Sequence, residues 1–121
     1  MKYNQKLKNE IEEYKNYVIL VEGQKDVLSL KSLGFEKIYA IHKNGVSLKE
    51  RIEQICSLIE KKEKVCILTD FDRKGKQFYM QIKSMLQERG VRLDSSLRGI
   101  LLKTNISHIE GLSTFIEKTL G

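Results

Sequence analysis

The sequence predicts an α/β fold of Rossmann-like type: about four parallel strands in the order 2-1-3-4, with helices on both faces of the sheet. Short apolar runs rich in β-branched residues alternate with segments whose apolar residues recur every three or four positions. The short runs are apolar throughout, which is typical of parallel strands that are buried on both sides.

An amphipathic helix is predicted at the start of the chain, because Leu7, Ile11 and Tyr14 lie four and three residues apart. We therefore divide the chain into a helical leader, residues 1–16, and a domain, residues 17–121.

The first strand is predicted in "YVILVEG", which Gly23 ends. Residues 24–33 have helical spacing and are closed by Gly34. "KIYAIH", residues 37–42, is the second β-like run, and "KNG" turns the chain after it.

Ser47 and Glu50 form a capping box that opens a helix running to about Lys62. "KVCILTD", residues 64–70, is predicted as the third strand, and the helix after "FDRKG" is closed by Gly90.

The fourth strand has two possible positions. "VRLD", residues 91–94, is preferred because Gly90 already ends the preceding helix, whereas "RGILL" would place the strand at residues 98–102. With the first choice, a helix contains Leu97, and a last short helix is predicted near residues 111–119.

The composition fits one globular domain. The 121 residues are 40% apolar and 31% charged, which argues against wholesale disorder. No apolar run approaches the ~20 residues that span a bilayer, and the first residues lack a signal-peptide pattern, so we expect a cytoplasmic protein without membrane contact. Cys56 and Cys66 lack metal-site spacing and are interpreted as small core residues.

The net charge of +6 is unevenly distributed. Residues 73–103 hold eight basic and two acidic residues, so the net charge of this segment equals that of the whole chain. This pattern favours a polyanionic partner, RNA or DNA, although a solvated lysine-rich surface explains it equally well.

Acidic residues follow two of the predicted strands directly. Glu22 ends the first strand, and Asp70 and Asp72 end the third. In the order 2-1-3-4 these strands are neighbours at the point where ligands bind to open α/β sheets, so the three carboxylates are expected to converge. Such a cluster repels itself unless a cation is bound, and oxygen ligands suit magnesium, with manganese as the alternative.

A simpler interpretation of each acid, taken singly, is that it caps the next helix. Gly23 and Gly75 beside the acids would allow the backbone or a phosphate to approach closely.

At these residues the sequence resembles the Toprim domain shared by topoisomerases, bacterial primases and some nucleases. "VEGQKDVLSL" is similar to the first Toprim motif, in the form seen in primases and 5S ribosomal RNA maturases. "TDFDRKG" resembles the D-x-D motif of type IA topoisomerases, and "NG" at residues 44–45 resembles a loop of small stand-alone Toprim proteins. The resemblance covers roughly residues 17–103.

The resemblance implies roles for four residues. Glu22 corresponds to the family's glutamate, a general acid or base or a metal ligand, and Asp70 and Asp72 to its magnesium-binding pair. Arg73 corresponds to an arginine that could contact a phosphate. Lys76 departs from the pattern, because the topoisomerase motif has a glutamate at this position. With a lysine there, fewer carboxylates would be available to the metal.

Further candidates surround the expected site. Asp26, one turn into the first domain helix, would support the acids from behind or interact with the helix dipole. His42 is a candidate for proton transfer, and His108, far along the chain, is the weaker of the two. Phe71 and Tyr79 could stack on bases, although core packing is the simpler role for Tyr79. The candidates for phosphate binding are Arg73, Lys74, Lys25, Lys76 and Asn44.

Three functions compete. The first is a magnesium-dependent enzyme that cleaves phosphodiester bonds in RNA or DNA, with Glu22 as its catalytic residue. The second is a non-catalytic nucleic-acid-binding module that acts within a larger complex. The third, a phosphoacceptor receiver domain, fits less well because receivers have an acidic pair after the first strand and a single aspartate after the third.

Overall fold

The computed structural model describes residues 2–113 and 115–116. The sheet consists of β1 (Val18–Val21), β2 (Ile38–Ala40), β3 (Lys64–Ile67) and β4 (Arg92–Leu93). The helices are α1 (Lys2–Glu12), α2 (Gln24–Ser32), α3 (Leu48–Leu58), α4 (Arg73–Glu88) and α5 (Ser96–Leu102), followed by a 3₁₀ turn at Ile109–Gly111. All strands are parallel and lie in the order β2-β1-β3-β4, which confirms the predicted fold class.

Two apolar clusters cover the two faces of the sheet. Along β1, Val18 and Leu20 join the cluster formed with α3 and α4, whereas Ile19 and Val21 join the one formed with α1, α2 and α5. This alternation follows from the two-residue period of a strand, and it explains why the whole run is apolar. The sheet is therefore the middle layer of three.

Helix α1 packs on the sheet, because Leu7 and Ile11 are buried in the same cluster as Ile19. The helix ends at Glu12, earlier than the predicted residue 16, and turns connect it to β1.

Several predicted elements are shorter in the structure. Helix α3 stops four residues before Lys62, since Ile59 is already extended and the Glu63 carboxylate accepts a hydrogen bond from the Glu60 amide. The preferred fourth strand is confirmed, and "RGILL" lies in α5. Of the last predicted helix, near residues 111–119, residue 111 ends the 3₁₀ turn and residues 112–113 and 115–116 are helical, while 114 and 117–119 lie outside the described residues.

Both cysteines are free. Cys66 is buried in β3, and this burial raises the pKa of its thiol to about 12, so the thiol stays protonated at neutral pH. None of the helices in the described part of the chain is both long and apolar enough to cross a membrane.

Candidate metal centre

The candidate centre lies at the carboxyl edge of the sheet, where β2, β1 and β3 end side by side. Hydrogen bonds continue beyond the strand ends: the Leu68 amide donates to the Leu20 carbonyl over 2.7 Å, and the His42 amide to the Glu22 carbonyl over 3.0 Å. The residues that follow the three strands are therefore held against one another.

A direct hydrogen bond joins the tips of β1 and β3. The Asp70 amide donates to Glu22 Oε2 over 2.8 Å, and both residues are half-buried. The Glu22 carboxylate thus reaches the neighbouring strand as the sequence analysis expects, but its contact there is the Asp70 backbone.

The two aspartates are also anchored by backbone amides. Asp70 Oδ1 accepts from the Ile109 amide over 2.8 Å. Asp72 Oδ1 accepts from the Gly75 amide over 2.7 Å, which makes Asp72 the N-cap of α4. Capping and metal binding are compatible here because a carboxylate has two oxygens. In each of the three acids, one oxygen is fixed by an amide and the other can face a cation.

An imidazole joins the aspartates. A carboxylate oxygen of Asp70, one of Asp72 and a ring nitrogen of His108 all lie within 4.8 Å of one another. His108 Nε2 is 3.5 Å from Asp72 Oδ2. In the sequence His108 is the weaker of the two histidine candidates, because it lies far along the chain from the aspartates. A backbone hydrogen bond from the Phe71 amide to the Ser107 carbonyl, 2.8 Å long, holds its segment next to them.

A buried guanidinium supports the D-x-D segment from below. Arg98, 7% exposed, donates to the Thr69 carbonyl over 2.6 Å and to the Asp70 carbonyl over 3.2 Å. The Phe71 and Tyr79 rings stack on it, with centroids 4.7 and 4.5 Å away. Burial lowers the pKa of Arg98, although an arginine in such a site stays charged. Arg98 is one of the eight basic residues of segment 73–103, and Phe71 and Tyr79, the candidates for base stacking, pack on its guanidinium instead.

The two glycines beside the acids differ in how closely other atoms surround them. A Cβ at Gly75 would lie 2.0 Å from the Asp70 carbonyl oxygen, and Thr69 Oγ1 donates to the Gly75 carbonyl over 2.7 Å. The start of α4 is thus pressed against the loop that carries the aspartates. A Cβ at Gly23 would meet no atom within 4 Å.

Asp26 lies behind the site and is 7% exposed. Its Oδ2 accepts from the Gly23 amide over 3.0 Å, at the start of α2. Burial raises the pKa of Asp26, and the hydrogen bond from Gly23 opposes part of that rise. The negative charges of Asp70 and Glu22 raise this pKa further, which shows that the acids share one electrostatic environment.

The predicted phosphate-binding side chains are all exposed. Arg73, Lys74 and Lys76 occupy the first turn of α4, immediately after Asp72, and Lys25 occupies the first turn of α2.

Three other members of the basic segment have partners within the protein: Arg98 is buried beneath the aspartate loop, Arg89 pairs with Glu53 at 3.3 Å, and Arg92 donates to the Lys62 carbonyl. The exposed cations that directly follow Asp72 are those at the start of α4.

The loop after β2 lies at the same carboxyl edge of the sheet, beside the candidate centre. Asn44 is exposed there, in a cavity of about 440 Å³ that also contains His42 and Phe78. The His42 ring meets the Phe78 ring edge to face at 4.9 Å.

Comparison with known proteins places the chain in a family. The sequence matches the Toprim domain over residues 17–104. The chain belongs to the Toprim domain family. It is 36% identical to a UPF0292 protein of Methanocaldococcus jannaschii, over 98% of this chain and 95% of that protein. It is 31% identical to a UPF0292 protein of Methanosarcina barkeri, over 94% of this chain and 80% of that protein.

A solved structure of a protein from Aquifex aeolicus has the same fold as this Toprim domain. The two superpose with a TM-score of 0.72 at 29% identity, over 88% of this chain and 94% of the other.

The donor set of this Toprim domain fits a divalent cation. Toprim domains in general bind magnesium, and hard carboxylate oxygens are the ligands that magnesium prefers. Asp70 and Asp72 lie close together with one oxygen each held by an amide, so their charges cannot separate easily. A bound cation would relieve that repulsion.

The contact at Gly75 predicts that Gly75→Ala damages the centre. The new methyl group would overlap the Asp70 carbonyl, so the loop must move, at a cost of about 1–3 kcal/mol in the free energy of unfolding. We expect the affinity for Mg²⁺ to fall at least about tenfold, as when a group that orients a metal ligand is lost. Urea unfolding and calorimetric titration measure the two effects.

Gly23→Ala is the matched control, because its methyl group enters open space and its backbone is extended. Equal metal affinity and stability in the two variants would contradict the role given to Gly75.

The raised pKa of Asp26 predicts a pH-dependent difference between the wild type and Asp26→Asn. The folded state holds the Asp26 proton more tightly than the unfolded state, so this group's contribution to stability is fully present below pH ~3.8 and declines as pH rises through the raised folded-state pKa. The asparagine side chain of the variant cannot ionise and retains an oxygen that can accept from the Gly23 amide. The variant should therefore gain stability relative to the wild type as pH rises.

Urea unfolding in EDTA from pH 4 to 7 measures this difference. If the free energies of unfolding of the two proteins changed with pH in parallel, ionisation of Asp26 would have no cost in stability, and the prediction would be wrong.

Proposed function

We propose that this Toprim protein is a magnesium-dependent phosphodiesterase that cleaves RNA or DNA. Toprim domains in general bind Mg²⁺ and act on nucleic acids. One observation carries the proposal: the Asp70 and Asp72 carboxylates lie close together after β3, and Glu22, after β1, accepts from the Asp70 amide, so that one oxygen of each acid is held by a backbone amide. Fixed, oriented carboxylates are what a catalytic metal site requires.

Each acid has a part in the proposed reaction. Asp70 and Asp72 would hold the cation, which when bound would polarise the scissile phosphate. Glu22 would take up or deliver a proton through the oxygen that the Asp70 amide leaves unused, or would serve as a further metal ligand.

The cations of α4 would hold the nucleic-acid backbone. Positive charge at a helix N-terminus opposes the helix dipole, yet Arg73, Lys74 and Lys76 all lie in that turn. Helix stability does not account for this placement, whereas binding of phosphates does. Lys25, in the first turn of α2, and Asn44, in the loop after β2, would extend the contact along the same edge, giving binding that depends on salt and little on sequence.

A second candidate function is a non-catalytic nucleic-acid-binding module within a larger complex. The openness of the site favours it, since the side chains of Asp72 and His108 are 43% and 53% exposed. Enzymes often exclude water from a reacting phosphate, and a partner would have to do so here. Assays on RNA and on single- and double-stranded DNA, with Mg²⁺ and with EDTA, separate the two functions: binding without cleavage favours the module.

The role of Glu22 predicts that Glu22→Gln abolishes cleavage while nucleic-acid binding changes little. The amide oxygen of glutamine still accepts from Asp70, but the side chain can neither exchange a proton nor carry a charge. We expect a loss of at least about 10²-fold in the cleavage rate. Initial rates and filter binding measure the two effects.

Glu36→Gln, at an exposed position after α2, controls for the general effect of removing a negative charge. Cleavage at the wild-type rate by the Glu22 variant would remove Glu22 from the mechanism.

The position of Lys74 predicts opposite effects of Lys74→Glu on stability and binding. An acid suits the first turn of α4, so unfolding should become harder by about 0.3–1 kcal/mol. If Lys74 contacts a phosphate, the slope of log K against log salt for duplex DNA should fall in magnitude by about 0.9 or more.

Thermal unfolding and binding at several salt concentrations test this prediction. Lys61→Glu, which makes the same charge change before β3, should leave the slope nearly unchanged. Equal losses in both variants would mean that only the overall charge matters.

A further inference from the structure

His108 stands where a metal ligand would stand. Its ring nitrogen and the oxygens of Asp70 and Asp72 lie within 4.8 Å of one another, and Nε2 faces Asp72 Oδ2 at 3.5 Å. Two atoms that each lie ~2.0–2.2 Å from one ion are at most about 4.4 Å apart, and the 3.5 Å between Nε2 and Asp72 Oδ2 falls within this limit.

The other nitrogen of the ring has a partner that orients it. His108 Nδ1 lies 2.7 Å from Ser107 Oγ. Metal-binding histidines commonly use one ring nitrogen for the ion and the other for such a hydrogen bond, which fixes the ring and its tautomer. In the tautomer in which Nδ1 carries the proton and donates to Ser107 Oγ, Nε2 keeps its lone pair and is the nitrogen available to a cation.

The backbone on both sides of His108 is attached to the aspartate loop. The Ser107 carbonyl accepts from the Phe71 amide over 2.8 Å, and the Ile109 amide donates to Asp70 Oδ1 over 2.8 Å. Two hydrogen bonds, one on each side of the residue, therefore set the position of the imidazole relative to the carboxylates.

From this geometry we propose that His108 is the third protein ligand of the cation held by Asp70 and Asp72, and that it shifts the site towards first-row transition cations. An imidazole binds these ions better than it binds magnesium, which prefers oxygen ligands and retains its waters. The inference rests on the metal site of the proposed function and adds the choice of ion, with Mn²⁺ as the probe.

A different role for His108 is a simple ion pair with Asp72, in which the protonated ring takes the place of a cation. The two roles differ in a measurable way. A ligand contributes its nitrogen directly to the bound ion, whereas an ion-pair partner is displaced when the ion enters.

Mn²⁺ binding to the whole chain, without nucleic acid, tests the proposal. Pulsed EPR of the Mn²⁺-loaded protein should show coupling to a directly bound ¹⁴N nucleus, which His108→Ala removes and His42→Ala retains. The chain has two histidines, so His42, which lies on the rim of the same edge, is the matched control.

Calorimetric titrations with Mn²⁺ and Mg²⁺ give the second readout. In His108→Ala the Mn²⁺ affinity should fall at least about tenfold. The Mg²⁺ affinity should change by less than about threefold, since water replaces the lost ligand. Ser107→Ala should weaken Mn²⁺ binding by about 10-fold or more through the released ring.

Absence of ¹⁴N coupling in the wild type, or equal losses for both ions in His108→Ala, would overturn the proposal. These measurements do not involve cleavage. A protein that binds Mn²⁺ through His108 and cuts no nucleic acid would contradict the proposed enzyme alone, and a protein that cuts nucleic acid without ¹⁴N coupling would contradict only the role of His108.

Discussion

The hydrogen bond from the Asp70 amide to the Glu22 carboxylate is the contact on which the candidate site depends. It connects the ends of two adjacent parallel strands and brings a third acid to the pair that follows β3. Parallel pairing makes this contact possible, because strands that run in the same direction end at the same edge. The order of the strands therefore determines which acids lie next to one another in the site.

The acids at this edge need compensation, and much of it comes from the backbone and one buried cation. Amides hold one oxygen each of Glu22, Asp70 and Asp72, while Arg98 lies beneath the loop and donates to two of its carbonyls. Asp26 is more deeply buried than these acids, and this burial raises its pKa although the Gly23 amide donates to it. The site is thus preorganised by the chain, and the remaining negative charge favours a divalent cation.

The fold could be predicted from sequence because its signals are local. Apolar runs, the Ser47 cap and Gly90 indicated the kinds of elements and their order, and the acids directly after strands were expected at one edge of the sheet, where Glu22 and Asp70 are in contact. His108 and Arg98 could not be found in this way. They reach the aspartate loop through contacts between residues 28 to 39 positions apart, which follow from how α5 and the 3₁₀ turn pack rather than from any motif.

Element boundaries were less predictable for a related reason. The end of α3 depends on an acid that folds back on the chain after the helix, and the shortness of β4 depends on its two-residue pairing with β3. Neither feature changes the position of the acids, since the strand tips are held by pairing inside the sheet.

The exposure of Asp72 and His108 has a consequence for the shape of what can reach them. The carboxylates lie at an open edge of the protein and not in an enclosed pocket, so a long polymer can lie across them at any point along its length. In the proposed function a free terminus would not need to enter, and the path of the strand over α4 would determine which bond lies beside the acids.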